Sequence, residues 1–240
     1  MDFNKNNVFF SLVSSSIHTG EVNSHKPTAI VYIDGLNLYK RILEISPSYK
    51  WLDVVKLSEA LFPSHDVKEV KYFTSRVSSQ PHDIGATDRQ YAYLTALQTL
   101  EPKLSMHFGK MRAYTAYLPR VPIEFDSTGN ARRVKVKKVE EKGSDVALAS
   151  NMVLDAATGK ADLYALISTD SDFEPTLRIL RSELRVATGL VFGSSTPPRA
   201  LLSSNPLILK QIRSSVLARS QLPESVNVAG AIIRKPSSWL

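Results

Sequence analysis

The run Ala29-Ile30-Val31-Tyr32-Ile33 is uninterrupted by polar residues and is followed at once by Asp34 and Gly35. A half-exposed strand would alternate polar and apolar side chains, whereas a strand covered on both faces of a parallel sheet is apolar throughout. The run therefore predicts a buried parallel strand that ends at an acidic residue, and this limits the fold to architectures with helices on both faces of a sheet.

Further strands alternate with helical patterns along the rest of the chain. The predicted strands after the first are residues 67–74, 104–109, 163–167 and 186–192, and the predicted helices are 36–45, 53–61, 87–100, 145–157 and 171–184. This alternation predicts an α/β fold, an open parallel sheet of about five strands in the order 3-2-1-4-5.

Three segments fall outside this alternating pattern. Residues 112–139 form a hairpin-like insertion around the turn Asp126-Ser127-Thr128-Gly129-Asn130. Residues 1–26 are rich in Asn, Ser and Lys and predict a flexible N-terminal extension. We therefore predict one domain over residues 27–193, with residues 194–240 as a C-terminal extension that packs on it or trails from it.

Acidic residues follow the strands that this order places beside each other. Asp34 ends the first strand, and Asp170 and Asp172 follow the fourth strand. Asp145 begins the helix that precedes the fourth strand. Ligands of open parallel sheets bind outside the carboxyl ends of the strands where the winding direction switches. Carboxylates crowded at that point repel one another unless a cation compensates them, and Mg²⁺ takes oxygen ligands. The pattern predicts a site for a divalent cation.

Each of these acids also has an ordinary structural explanation. Asp34 with Gly35 is a common turn, Ser171 or Asp172 is a common helix cap, and Asp145 suits the first turn of a helix. Capping does not require acids at both strands beside the switch point, so the set as a whole favours the cation site.

The same residues resemble the signatures of NYN-domain proteins, most closely the LabA-like branch. The three motifs are Asp-Gly-Leu-Asn at 34–37, Lys-Gly-Ser-Asp-Val-Ala-Leu at 142–148 and Ser-Thr-Asp-Ser-Asp-Phe at 168–173. That family is related to the PIN nucleases, and the resemblance covers about residues 28–193. It implies a PIN-like core and a metal-dependent ribonuclease that uses Mg²⁺ or Mn²⁺.

The resemblance also implies individual roles. The acidic, metal-holding residues are Asp34, Asp145, Asp170 and Asp172, with Asn37 as their polar companion. The auxiliary residues are Ser168, Thr169, Ser171, Lys142 and Asn151. Many family members have Asp where this chain has Asn151, so the site has one negative charge fewer. This difference keeps open a second interpretation, a catalytically weak or inactive NYN domain that binds RNA or a protein as a regulatory module.

Charge indicates the partner. Thirty Lys and Arg against 23 Asp and Glu give a net charge of +7, which favours polyanions. A basic strand carries Arg132, Arg133, Lys135, Lys137 and Lys138, of which Arg133, Lys135 and Lys137 share one face. The strand is either a track for nucleic acid or a solvated edge protected by lysines. We expect RNA that is single-stranded or looped, because an acid-lined groove needs an exposed phosphate.

Other functions are excluded or disfavoured. The chain has no Cys, which excludes disulfides, thiolate zinc sites and thiol nucleophiles. No Gly-x-Gly-x-x-Gly follows the first strand, and a haloacid-dehalogenase-like phosphatase would need a second Asp where Leu36 stands. No segment is apolar enough to span a bilayer, so we expect a cytoplasmic protein, with a homo-oligomer left open.

Overall fold

The apolar run at residues 29–33 forms strand β1 at the centre of a seven-stranded sheet with the order β4-β3-β2-β1-β5-β6-β7. The computed structural model describes residues 25–77, 83–194 and 196–239. The strands of this sheet are β1 (Thr28–Asp34), β2 (Asp66–Ser75), β3 (Leu104–Pro119), β4 (Arg133–Lys142), β5 (Leu163–Ile167), β6 (Ala187–Phe192) and β7 (Ile208–Gln211). All neighbours in it are parallel except β3 and β4, which are antiparallel.

The predicted α/β class is confirmed, and the five central strands have the predicted order 3-2-1-4-5. The prediction of about five strands was too low, because β4 and β7 extend the sheet at its two edges. Strand β7 has only four residues and is largely exposed, so it lacks the apolar pattern that reveals a strand. The hairpin-like insertion is a continuation of β3, which runs on beyond β2 to pair with β4.

Helices cover both faces of the sheet. They are α1 (Gly35–Leu38), which continues as a π-helical turn (Tyr39–Leu43), α2 (Val54–Leu61), α3 (Ala86–Leu97), α4 (Ser144–Ala157), α5 (Glu174–Arg178), which continues as a π-helical turn (Ile179–Glu183), α6 (Arg199–Leu202) and α7 (Ser214–Arg219). In the described part of the chain, none of the helices has the length and apolar character needed to cross a membrane.

Successive side chains of β1 enter two different cores. Ala29, Val31 and Ile33 pack with α1, α2 and α3, whereas Ile30 and Tyr32 pack with α4, α5 and α6. All five side chains are at most 2% exposed, which is why the run contains no polar residue. The helices on the two faces are thus held in fixed positions relative to the end of β1, where Asp34 lies.

The residues after β7 pack against the first core. A two-stranded hairpin, β8 (Ser225–Val228) and β9 (Ala231–Arg234), precedes Trp239, whose ring lies 6.3 Å from Trp51 and 6.1 Å from Tyr93, centre to centre. The backbone N–H of Leu222 donates to the carbonyl of Trp51. Residues of the predicted C-terminal extension therefore complete the core around Trp51.

A buried ion cluster joins α4 to the sheet. The ammonium of Lys71 on β2 and the hydroxyl of Tyr32 on β1 both donate to Asp155 Oδ2, at 2.6 and 2.7 Å. Lys160 lies 2.6 Å from the other oxygen, Oδ1. Asp155 is 1% exposed, and a carboxylate at that depth stays charged only when cations and donors surround it. Four side chains thus fix the C-terminal half of α4.

We predict that Lys71→Met lowers the free energy of unfolding by about 3 kcal/mol, the lower end of the range for breaking a buried ion pair, because Lys160 still faces Asp155. Urea denaturation monitored by circular dichroism measures the loss. The matched control is Lys68→Met on the same strand, where the exposed Lys68–Asp66 pair is worth at most about 1 kcal/mol. Equal effects of the two changes would contradict the role given to the cluster.

Candidate metal and nucleic-acid site

The carboxyl ends of β1 and β5 are joined by side-chain hydrogen bonds. The two strands are neighbours, with Ile33 beside Ile167, so the next residues, Asp34 and Ser168, face each other. The Ser168 hydroxyl donates to Asp34 Oδ2 at 3.0 Å and also accepts from the backbone N–H of Asp170 at 3.1 Å. The predicted residues of the first and third motifs therefore meet at the switch point.

Asn37 connects the same two loops. Its backbone N–H donates to Asp34 Oδ1 at 3.0 Å, and its side-chain Oδ1 accepts from the backbone N–H and the hydroxyl of Thr169, at 3.1 and 3.0 Å. The side-chain oxygen of Asn37 is thus engaged by Thr169. These contacts give Asn37 and Thr169 the geometry of residues that position the acids.

Asp34 is held charged against an unfavourable environment. Its side chain is almost completely buried, and this burial raises its pKa to about 6, although hydrogen bonds from Asn37 and Ser168 oppose the shift. The negative charges of Asp145 and Asp170 raise the pKa further. A buried carboxylate with like charges around it is the arrangement that a cation would relieve.

Asp145 belongs to the same cluster, and so does Glu141, which was not among the predicted site residues. Partial burial and the charges of Glu141, Asp170 and Asp172 raise the pKa of Asp145. Glu141 Oε1 accepts from the backbone N–H of Ser144, and Oε2 accepts from the Ser144 hydroxyl, at 3.0 and 2.6 Å. Glu141 stands three residues before Ser144, the spacing of a side chain that caps a helix N-terminus, and this spacing was the available signal.

The capping explanation holds for part of the set. Asp34 caps α1, and Asp170 Oδ1 accepts from the backbone N–H of Asp172 at the start of a 3₁₀ turn. Each cap occupies one oxygen of the carboxylate and leaves lone pairs on the other. Capping explains neither the burial of Asp34 nor the mutual repulsion of the acids. The side chains of Asp145, Ser171 and Asp172 are exposed. Ser171 and Asp172 directly follow Asp170 in the sequence, and the charges of Asp170 and Asp172 act on Asp145.

The acids suit a divalent cation that prefers oxygen ligands and takes few of them from the protein. Within the described ranges, no group of three or more His, Asp or Glu side chains is close enough together to hold a metal ion as a ready-made cage. Mg²⁺ needs no such cage, because it binds through one or two carboxylates and keeps several waters. The donor set, all carboxylate with hydroxyl and amide groups around it, therefore suits Mg²⁺ or Mn²⁺.

The basic hairpin has two different faces. Opposite residues of an antiparallel pair share a face, so Lys135 and Lys137 lie with Tyr117 and Thr115. Arg133 lies on this face as well, which we call the open basic face. Lys138 and Lys142 lie on the opposite face, where both pair with Glu140, at 2.9 and 3.2 Å. Arg132, the remaining predicted basic residue, precedes β4, and its guanidinium lies 4.0 Å from a carboxylate oxygen of Glu124.

Asn151 contacts the buried ion cluster. Its Oδ1 accepts from Lys71 at 3.4 Å, and its Nδ2 donates to the carbonyl of Ala147 one turn earlier in α4. Asn151 thus lies nearer the C-terminal end of α4 than Asp145 does. It contacts Lys71, whose ammonium pairs with Asp155. The buried pair of Lys71 and Asp155 could not be predicted, because a charged residue within a strand or helix is usually exposed.

The three motifs lie within a region that a family model matches. The family model described as the NYN domain matches residues 28–207. The chain is 30% identical over 242 aligned positions to 6-hydroxy-3-succinoylpyridine 3-monooxygenase HspA of Pseudomonas putida, covering 87% of this chain and 74% of that protein. A crystal structure of a protein of unknown function from Vibrio parahaemolyticus aligns with a TM-score of 0.46 and 15% identity, over 80% of this chain and 96% of that one.

The raised pKa of Asp34 predicts a pH-dependent stability. In the unfolded chain an Asp carboxyl has a pKa near 3.9, so protonation of Asp34 favours the folded state. This stabilisation is complete below about pH 4 and is lost as the pH rises through about 6. Asp34→Asn should therefore raise the free energy of unfolding by about 3 kcal/mol at pH 8, and this gain should vanish near pH 4. Urea titrations at several pH values, in EDTA, measure it.

Asp126→Asn is the control for this pH series. Hydrogen bonds from Thr128 and Asn130 lower the pKa of Asp126, so its stabilising contribution is present at neutral pH and is lost in acid. The control variant should be destabilised at pH 8, the opposite sign to Asp34→Asn. If Asp34→Asn behaved like the control, the carboxylates would not be crowded in the way described.

Proposed function

The chain belongs to the NYN domain family, a nuclease-type family, and from that premise we propose that it is a metal-dependent endoribonuclease that hydrolyses RNA phosphodiester bonds. The observation that carries the proposal is the buried carboxylate of Asp34 at the switch point, whose pKa is raised by burial and further by the charges of Asp145 and Asp170. Such a cluster is costly to the fold, and a function as a cation site accounts for it.

Asp34, Asp145, Asp170 and Asp172 would hold Mg²⁺ or Mn²⁺ directly or through water. When bound, the cation supplies a polarised phosphoryl oxygen and a water of lowered pKa for attack on phosphorus. The chain itself orients the acids. Ser168 and the backbone N–H of Asn37 each donate to one oxygen of Asp34, which leaves a fixed lone pair on both for the cation.

Single-stranded or looped RNA is the substrate that this surface favours. The open basic face presents Arg133, Lys135 and Lys137 along a strand whose far end, at Lys142, adjoins α4 and Asp145. Cations placed along one face bind successive phosphates and fix the register of the chain. An RNA substrate also agrees with the cytoplasmic location expected from the sequence.

A second candidate function follows from the Pseudomonas relative, whose name describes monooxygenation of a pyridine derivative. One fold carries more than one chemistry, so the family alone does not decide between them. The observation in this chain that favours an aromatic small substrate is a cavity of about 360 Å³ lined by tyrosines and a tryptophan. Oxygen uptake with that pyridine and a two-electron reductant tests this candidate.

We predict that the purified chain cuts single-stranded RNA in Mg²⁺ or Mn²⁺ and that Asp172→Asn lowers the rate at least 100-fold, because a carboxylate that holds the cation is lost. Gel electrophoresis of end-labelled RNA measures cleavage, and filter binding measures affinity, which should stay equal or rise as repulsion of phosphate decreases. Asp126→Asn, in the hairpin turn, is the charge-matched control. RNA binding without product in any divalent cation would favour the regulatory binding module instead.

The open basic face generates a further prediction. Changing both Lys135 and Lys137 to Ala should weaken RNA binding and reduce the slope of log affinity against log salt by about 1.4, since each lost phosphate contact to a single strand contributes about 0.7. The charge-matched control is Lys110→Ala with Lys138→Ala on the opposite face, where Glu140 already pairs with Lys138. Equal losses in both double variants would show that net charge alone governs binding.

A further inference from the structure

A cavity of about 360 Å³ opens on the α1 and α3 side of the switch point. Its walls include the rings of Tyr39, Tyr72, Tyr93 and Trp239. The phenol of Tyr93 donates to the carbonyl of Leu52, so the ring of Tyr93, rather than its hydroxyl, is what remains for a ligand. The volume is at the lower end for small-molecule sites and suits one flat ring with a short substituent.

The cavity shares a wall with the acid cluster. Gly35 lines it, and the Cα of Gly35 is about 3.8 Å from that of Asp34 along the chain. A side chain at Gly35 would have its Cβ 2.6 Å from the Tyr72 hydroxyl oxygen, so the ring of Tyr72 packs directly on this backbone. Burial and then the charge of Asp34 raise the pKa of Tyr72, which places the ring within the field of the cluster.

The cavity also continues the open basic face of the hairpin. Val139 is the residue that follows Lys135 and Lys137 at period two on β4, and Met111 lies two residues before Ala113, the partner of Val139, on β3. Both Val139 and Met111 line the cavity. A chain of phosphates that follows Lys135 and Lys137 would therefore reach the part of the cavity wall formed by Val139 and Met111.

The charged residues that line the cavity favour an anion. Lys40 and Arg89 line the cavity but are paired with Glu44 and Asp83, which also line it. The Lys50 ammonium donates to the Tyr39 hydroxyl at 3.4 Å and lies 5.2 Å from the centre of the Tyr39 ring, and among the described residues no carboxylate forms a salt bridge with it. A ring stacked on Tyr39 could thus carry a negative group toward Lys50.

We propose that this cavity is the subsite for one nucleobase of the RNA substrate, with Tyr39 as its stacking residue and Lys50 as a contact for the attached phosphate. The inference rests on the proposed ribonuclease function. Bases of single-stranded RNA are recognised by stacking on aromatic rings, and this cavity provides such rings in a wall that also contains Gly35, the residue after Asp34. A preference for the base next to the cleaved bond follows from it.

The first test measures binding without any cleavage. Nucleoside 5′-monophosphates, ribose 5-phosphate and nicotinate are titrated into the full chain by isothermal titration calorimetry. We expect the nucleotides to bind and ribose 5-phosphate to bind at least tenfold more weakly. Tyr39→Leu should weaken nucleotide binding about tenfold, within the range for a lost base–aromatic stack. Tyr39→Phe keeps the ring but loses the hydrogen bond from Lys50, so it should bind nucleotides more tightly than Tyr39→Leu does. Tyr91→Leu, on the exposed side of α3, should bind as wild type does.

The outcomes separate the two proposals. Equal binding of ribose 5-phosphate, or unchanged nucleotide affinity in Tyr39→Leu with Tyr39→Phe folded, overturns the base subsite. Binding of nicotinate without binding of any nucleotide also overturns it, and indicates a free aromatic acid as the occupant. Nucleotide binding in a chain that cuts no RNA keeps the subsite and removes the ribonuclease.

The second test uses cleavage of an RNA library with one random position on each side of a defined bond. Sequencing of the products should show that wild type and Tyr91→Leu prefer one base class at a single position. Tyr39→Leu should make the relative rates for the four bases equal within about twofold, as expected when a stacking contact is lost. A preference that Tyr39→Leu leaves intact overturns the subsite.

Discussion

The hydrogen bond from Ser168 to Asp34 joins the ends of the two central strands, and the rest of the site depends on it. Parallel pairing of β1 and β5 brings these two residues together in register, so the bond requires no strained backbone. Asn37 adds a second link between the same loops through Thr169. The energy that buries Asp34 as a carboxylate comes from the packed strands beneath it, since burial by itself disfavours the charge.

Helix α4 is fixed at both of its ends by acidic side chains with different purposes. At its start Glu141 accepts from Ser144 and Asp145 faces the acid cluster, whereas at its end Asp155 binds Lys71 and Lys160. The position of Asp145 therefore depends on the ion cluster below it. Asn151 contacts Lys71 in that cluster, so an aspartate here would add a charge to the buried cluster and compete with Asp155 for the same cation.

Several elements could be predicted from the sequence because their signals are local. An apolar run such as residues 29–33 identifies a buried strand, and the alternation of strands and helices limits the connections to a right-handed, parallel winding. The short edge strand β7 and the length of β3 could not be predicted, because edge pairing uses backbone groups that every residue has. The two faces of the basic hairpin follow from alternation, but the pairing of Lys138 and Lys142 with Glu140 required the register.

The sequence by itself determined the fold class, the order of the central strands and the placement of acidic residues after those strands, because these depend on hydrophobic pattern and on where polar residues interrupt it. Only the tertiary structure decided how those acids act on one another, that Glu141 joins them, and that Lys71 lies buried beside Asn151. The aromatic cavity beside Gly35 is likewise a product of tertiary structure, since it joins Tyr39, Tyr72 and Trp239 from distant parts of the chain. Electrostatic coupling and cavity shape depend on distances through space, and these arise when the chain packs.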